Sequence, residues 1–109
     1  MLVHKIDLAS HWGIEEVELP FNTGREARAN IMSIGVQFEV PRMWFNVKRE
    51  KYSDFVIVTI GTGHDWGNKL TKEEYIGSAL VAGDSLVWHY FLLSKKEFEE
   101  RFSDEILDK

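Results

Sequence analysis

Residues 61–67 read Gly-Thr-Gly-His-Asp-Trp-Gly, directly after an apolar run. Two glycines flanking a threonine can aim backbone N–H groups at an anion, and the Thr62 hydroxyl and the His64 imidazole can add side-chain contacts. No lysine stands where a phosphate-binding P-loop needs one, and no helix is predicted to start here. Gly61, Thr62, Gly63 and His64 also suit a plain turn, because Thr and Asp readily bond to nearby backbone. Nucleophilic chemistry would need Thr62 next to His64, with Asp65 or Asp84 orienting the ring. Nothing else in the chain completes that set, so no catalytic residue is assigned.

A metal needs three or four convergent ligands. The histidines are His4, His11, His64 and His89, and no two of them have helical i, i+4 spacing. His64, Asp65 and His89 are the one combination that a fold could gather, and neither a metal nor a cofactor is expected. The carboxylate pairs Glu15-Glu16 and Glu73-Glu74 read as solvated faces.

The aromatic content is unusual: four Trp, three Tyr and seven Phe in 109 residues. Trp88 lies within an apolar strand and reads as core, which puts its neighbour His89 on the other face. Trp44 falls off the inward parity of its segment, and Trp66 sits in the glycine-rich loop. Either can stack on a planar ring, and Arg42 beside Trp44 can neutralise a phosphate. The candidate ligand-binding set is therefore Arg42, Trp44, Gly61, Thr62, Gly63, His64 and Trp66. The competing reading of Trp44 is that it covers its sheet or lies between copies of the chain.

The elements that must position these residues are short apolar runs separated by turn residues, the signature of a β-rich domain. Residues 2–7 and 14–19 read as strands, the second closed by Pro20. The polar stretch 21–30 holds at most one helical turn, at 25–29. In IMSIGVQFEV the residues Ile34, Val36, Phe38 and Val40 share one parity and predict one buried face. A tight connection at Pro41-Arg42 follows, then MWFNVK with Met43, Phe45 and Val47 inward. FVIVTI (55–60) is apolar on both faces, as a central covered strand is. Residues 75–81 and 85–93 are two more strands, joined by Ala82-Gly83-Asp84. Ser94-Lys95-Lys96-Glu97 is a capping box, and Phe98 and Phe102 continue at helical spacing. The prediction is one domain over 1–109: a mainly β antiparallel barrel or sandwich of about seven strands (core 2–93), with one C-terminal helix at about 95–102.

Composition limits the function. The net charge of −5 opposes binding to a DNA or RNA polymer, which calls for a basic face. There is no cysteine, which excludes disulfides and thiolate metal sites. No apolar run reaches the length of about 20 residues that a membrane helix needs. Asp7 and His11 interrupt the N-terminus where a signal peptide would be apolar, so an intracellular setting is expected.

In order, Gly35-Val36-Gln37, Trp44, Gly61-Thr62-Gly63-His64, Tyr75-Ile76-Gly77-Ser78 and Val87-Trp88-His89-Tyr90-Phe91 form a recognisable series. With Leu19-Pro20 closing an early strand, the series resembles a family of small domains encoded mainly by bacteriophages. The likeness covers most of residues 3–92 and leaves out 94–109. It implies a phage accessory protein acting in the host bacterial cytoplasm, and it supplies no catalytic residue. The expected function is binding without turnover: sequestration of a small anionic nucleotide that serves as an immune signal, as counter-defence. The alternatives are a protein–protein inhibitor or modulator of a host protein, then a phage structural component. The aromatic excess also predicts a homo-oligomer.

Overall fold

The computed structural model describes residues 1–65, 69–81, 83 and 86–107, with the side chains of the last helix described as far as Phe102. Trp66, Asp84 and the hairpin residue Ala82 lie outside that set.

The strand that is apolar on both faces organises everything else. β5 (Ser53–Gly61) buries Phe55, Val56, Ile57, Val58 and Thr59 completely, or within 2% of it. It has a neighbour on each side, β2 (Gly13–Leu19) and β7 (Trp88–Ser94), and β6 (Tyr75–Ala79) completes a four-stranded sheet in the order β2-β5-β7-β6. The other sheet has three strands in the order β1-β4-β3: β1 (Val3–Asp7), β4 (Val40–Asn46) and β3 (Ile31–Gln37). Every pairing is antiparallel.

Period-2 side chains from both sheets share one core. Met43, Phe45 and Ile34 of the three-stranded sheet meet Leu19, Phe55, Ile57, Tyr90 and Leu92 of the four-stranded one. The molecule is thus a sandwich of two antiparallel sheets, not a closed barrel. Edge strands β3 and β6 come together at Gly77, where a Cβ would stand 2.7 Å from Ile34 Cγ1.

The outer face of the four-stranded sheet needs its own cover, because Val56, Val58 and Leu93 point that way. Helix α2 (Lys95–Leu107) supplies it with Phe98 and Phe102, whose rings stack at 4.8 Å. Its start is the capping box expected: Glu97 N donates to Ser94 Oγ (3.1 Å) and Ser94 N donates to Glu97 Oε1 (2.8 Å). The helix runs five residues past the expected end at 102. A short helix α1 (Gly24–Ala29) is capped by Thr23, whose Oγ1 accepts from Glu26 N at 3.0 Å. Arg28 ties α1 to the end of β7 and to α2 through Leu92 O (3.0 Å) and Glu97 (3.0 and 3.1 Å).

Two local expectations need correction. The turn between β3 and β4 is Phe38-Glu39, flanked by the pair Gln37–Val40, and not Pro41-Arg42. Pro41 lies inside β4, where its carbonyl accepts from Leu8 N at 2.8 Å. Both turn residues have positive φ, +52° and +65°, as a two-residue hairpin of type I′ demands. Asn-Gly normally marks such a turn, so Phe-Glu carried no signal. Phe38, read as core, is 85% exposed, and Val36 is also exposed. Secondly, Glu74 is not on a solvated face but wholly buried. It accepts from Thr71 N and Thr71 Oγ1 and pairs with Arg101 of α2. Burial by itself raises the pKa of its carboxyl. The hydrogen bonds from Arg101 and Thr71 outweigh that and hold it below the ordinary 4.5.

Candidate functional site

The six candidates among the described residues separate, Trp66 lying outside them. Arg42 and Trp44 lie on the outer face of the three-stranded sheet, since Met43 and Phe45 between and beside them point into the core. Trp44 stands opposite Lys5 and Ser33 and lies over Gly35, where a Cβ would be 3.7 Å from its ring. The indole therefore covers a glycine in its sheet, which leaves that patch without a side chain of its own. Arg42 is paired with Asp7, with Nε 3.5 Å from Oδ1; that nitrogen is buried and outside hydrogen-bond geometry.

Gly61, Thr62, Gly63 and His64 belong to the other sheet, at the end of β5. Their backbone is used within the fold. Gly61 N donates to His64 Nδ1 (2.9 Å), Thr62 N to Val87 O (3.1 Å) and His64 N to Gly61 O (3.0 Å). Gly63 has φ +96°, the left-handed region that favours glycine. Three of the four amides that an anion loop would point outward are thus engaged inside the turn. Accepting through Nδ1 fixes His64 as the tautomer with hydrogen on Nε2, and its ring lies 6.4 Å from that of Trp88. Trp88 packs against the core as read.

Thr62 does meet a histidine, but it is His89 and not His64. Thr62 Oγ1 is 2.8 Å from His89 Nε2, and His89 Nδ1 is 3.0 Å from Tyr75 Oη. Strand parity places His89 on the outer face, opposite Trp88. Tyr75 is there because of a bulge. The pairs Tyr75–Phe91 and Gly77–Tyr90 leave Ile76 as the extra residue of β6. Ile76 turns to the core, and Tyr75 lands beside His89 and Phe91 with ring separations of 5.9 and 5.3 Å. Without that residue β6 would present the opposite faces. In the sequence Tyr75 stands out only as part of the Tyr75-Ile76-Gly77-Ser78 series, and the glycine after Ile76 is the signal of the bulge. The resulting hydroxyl–imidazole–phenol chain is open to solvent on one side.

A further grouping comes from connectivity. Antiparallel order brings the β1–β2, β3–β4 and β6–β7 connections and the exit of β5 to one end of the sandwich. Leu8 N bonds to Pro41 O, Tyr90 Oη donates to Ala9 O at 2.7 Å, and Thr62 N bonds to Val87 O. This end exposes Trp12 (54%), Phe38 and Leu80 (59%).

Among the described residues no three His, Asp or Glu side chains gather as a metal site requires. No described helix is long and apolar enough to cross a membrane.

A family model described as a domain of unknown function (DUF7352) matches residues 3–101. The chain belongs to this family. The DUF7352 match takes in the sandwich and the first half of α2. Glu74 and Arg101 both fall within it. No curated protein matches the chain, and no solved structure does.

Proposed function

We propose that this DUF7352 domain is a binding protein without turnover, and that it engages a partner protein through the loop end of its sandwich. The observation that carries this reading is Phe38. An aromatic ring stands 85% exposed at a hairpin tip whose backbone favours Asn and Gly. Large exposed apolar residues that cluster mark contact surfaces, and aromatic anchors dominate the energetics of protein interfaces. Trp12 and Leu80 are also exposed at the same end. Glu39 beside Phe38, on a chain of net charge −5, favours a partner with an apolar cleft rimmed by basic groups. In the setting that the phage resemblance implies, that partner is a host protein in the bacterial cytoplasm, and the domain inhibits or redirects it.

The test places a photo-crosslinking residue at position 38 and recovers its target from host cells. The purified target is then titrated against wild type, Phe38→Ala and Trp12→Ala. Loss of affinity of roughly 30-fold or more for Phe38→Ala is the size of an interface anchor. Equal affinities for all three proteins would overturn the reading. So would light scattering that shows a second copy of the chain occupying this end.

The second reading is the sequestered small nucleotide. It no longer rests on Arg42 and Trp44, which lie on the opposite sheet. It rests on Thr62 and its new neighbours His89 and Tyr75, which offer hydroxyl and imidazole donors to a phosphate.

A further inference from the structure

We infer that Thr62, His89 and Tyr75 form a site for a small oxyanion of the phosphate or phosphate-ester class, and that the site takes up a proton with its ligand.

A neutral imidazole has one donor nitrogen and one acceptor nitrogen. With both ring nitrogens of His89 bonded to hydroxyl oxygens, one of Thr62 or Tyr75 must spend its hydrogen on the ring. If Thr62 donates to Nε2, the ring donates Nδ1–H to Tyr75. If Tyr75 donates to Nδ1, the ring donates Nε2–H to Thr62, and the Thr62 hydrogen can reach only the distant Val87 O at 3.4 Å. Neutral His89 therefore leaves one hydroxyl hydrogen for the outside. Protonated His89 donates to both oxygens, so neither hydroxyl hydrogen is spent on the ring: that of Tyr75 turns outward, and that of Thr62 keeps only the long contact to Val87 O at 3.4 Å, which an incoming anion can replace.

The charged state is thus a cation flanked by two O–H donors that the ring no longer uses, the complement of an oxyanion. Ser78 pairs with His89 across β6 and adds a third hydroxyl on the same face. The titratable and charged groups on adjoining elements are Tyr75 itself, His64, Asp65, Lys69, Lys72, Glu73 and Glu74 between β5 and β6, and Glu97, Glu100 and Arg101 on α2, which packs on the same face. Of these, Glu74 is already committed to Arg101 and Thr71. Among the described residues, the hydrogen-bond partners of the His89 ring are Thr62 and Tyr75. This site is separate from the Phe38 contact surface and stands or falls without it.

The experiment follows the His89 ring resonances by NMR while sulfate is titrated in at pH values from 5.5 to 8. Sulfate keeps its charge throughout, so any pH dependence belongs to the protein. The expected result is a saturating shift whose affinity falls as pH rises, approaching tenfold per pH unit where His89 is neutral, as uptake of one proton requires. His89→Gln keeps a polar side chain that does not titrate, and its residual binding is expected to be flat with pH. Thr62→Val and Tyr75→Phe each weaken binding several-fold, with unfolding midpoints read alongside to confirm that the domain stays folded. Inorganic phosphate and a nucleoside monophosphate at one fixed pH tell a free-anion site from a phosphate-ester site. Failure of sulfate and both phosphates to shift the His89 resonances at any pH would overturn the proposal, as would a pH slope unchanged in His89→Gln.

Discussion

Replacing Phe38-Glu39 by Asn-Gly isolates the energetic consequence of the β3–β4 turn. Both residues have φ between +50° and +70°, a region that costs an L-residue about 1–2 kcal/mol. Glycine removes that cost, and asparagine reduces it. Two terms act in the opposite direction. Glycine adds about 0.5–1 kcal/mol of chain entropy to the unfolded state. The buried fraction of Phe38 is small at 85% exposure. Taking an aromatic side chain as about 200 Å² and burial as about 25 cal/mol per Å², that fraction is worth under about 1 kcal/mol. The net expectation is stabilisation by about 1 kcal/mol, or about 4 °C in the unfolding midpoint for a domain of this size. Urea unfolding of wild type, Glu39→Gly and the double variant measures it. Glu39→Gly alone should deliver most of the gain, because only glycine is free of the penalty. A double variant less stable than wild type would refute the reasoning, since the native turn would then be unstrained. Under the proposed function the same double variant gains stability and loses its partner, as expected when a local rule is broken for contact.

Thr59 is fully buried in β5 with its hydroxyl unpartnered, so Thr59→Val should raise stability by about 1 kcal/mol in urea unfolding, because the shape is kept and a desolvated polar group is removed. Glu74→Ala strands Arg101 and Thr71 and should cost about 2–4 kcal/mol, read as a fall in urea midpoint at pH 7. Stability should also fall in acid. Burial raises the carboxyl pKa of Glu97, but bonds from Arg28 and Ser94 outweigh that, so Glu97, like Glu74, titrates below 4.5 in the folded protein. A carboxyl whose folded value is depressed contributes stability above its unfolded value and loses it as pH falls through the folded one. Urea midpoints should therefore hold near neutrality and drop below about pH 4.5, with a shallower drop in Glu74→Gln. Gly77→Val places a side chain against Ile34 at φ +147° and should destabilise by at least about 2 kcal/mol; it should also broaden the His89 resonances by disturbing the Tyr75 bulge.

Much of this fold is visible in short windows of sequence because its causes act over a few residues. The two-faced apolar run 55–60 has to be a covered central strand wherever it lies. The Ser94–Glu97 box starts a helix by local hydrogen bonding alone. Alternation puts Trp88 inside and His89 outside before any partner strand is known. Period alone does not reveal where a strand stops: 31–40 alternates smoothly through a turn whose residues are poor at turning.

The site depended on forces that no window contains. His89 acquires its chemistry from Thr62, 27 residues away in sequence, and from Tyr75, which faces it only because Ile76 bulges. Glu74 reads as one of two surface acids until α2 delivers Arg101 across 27 residues. Arg42 and Trp44 match the glycine loop in chemistry, but strand order sends them to the far side of the core. Composition and periodicity by themselves determined a mainly β antiparallel domain with a capped terminal helix. Strand pairing, one bulge and the meeting of loops at one end decided which polar groups are neighbours, because hydrogen-bond chemistry acts over about 3 Å and only the tertiary fold sets distances on that scale.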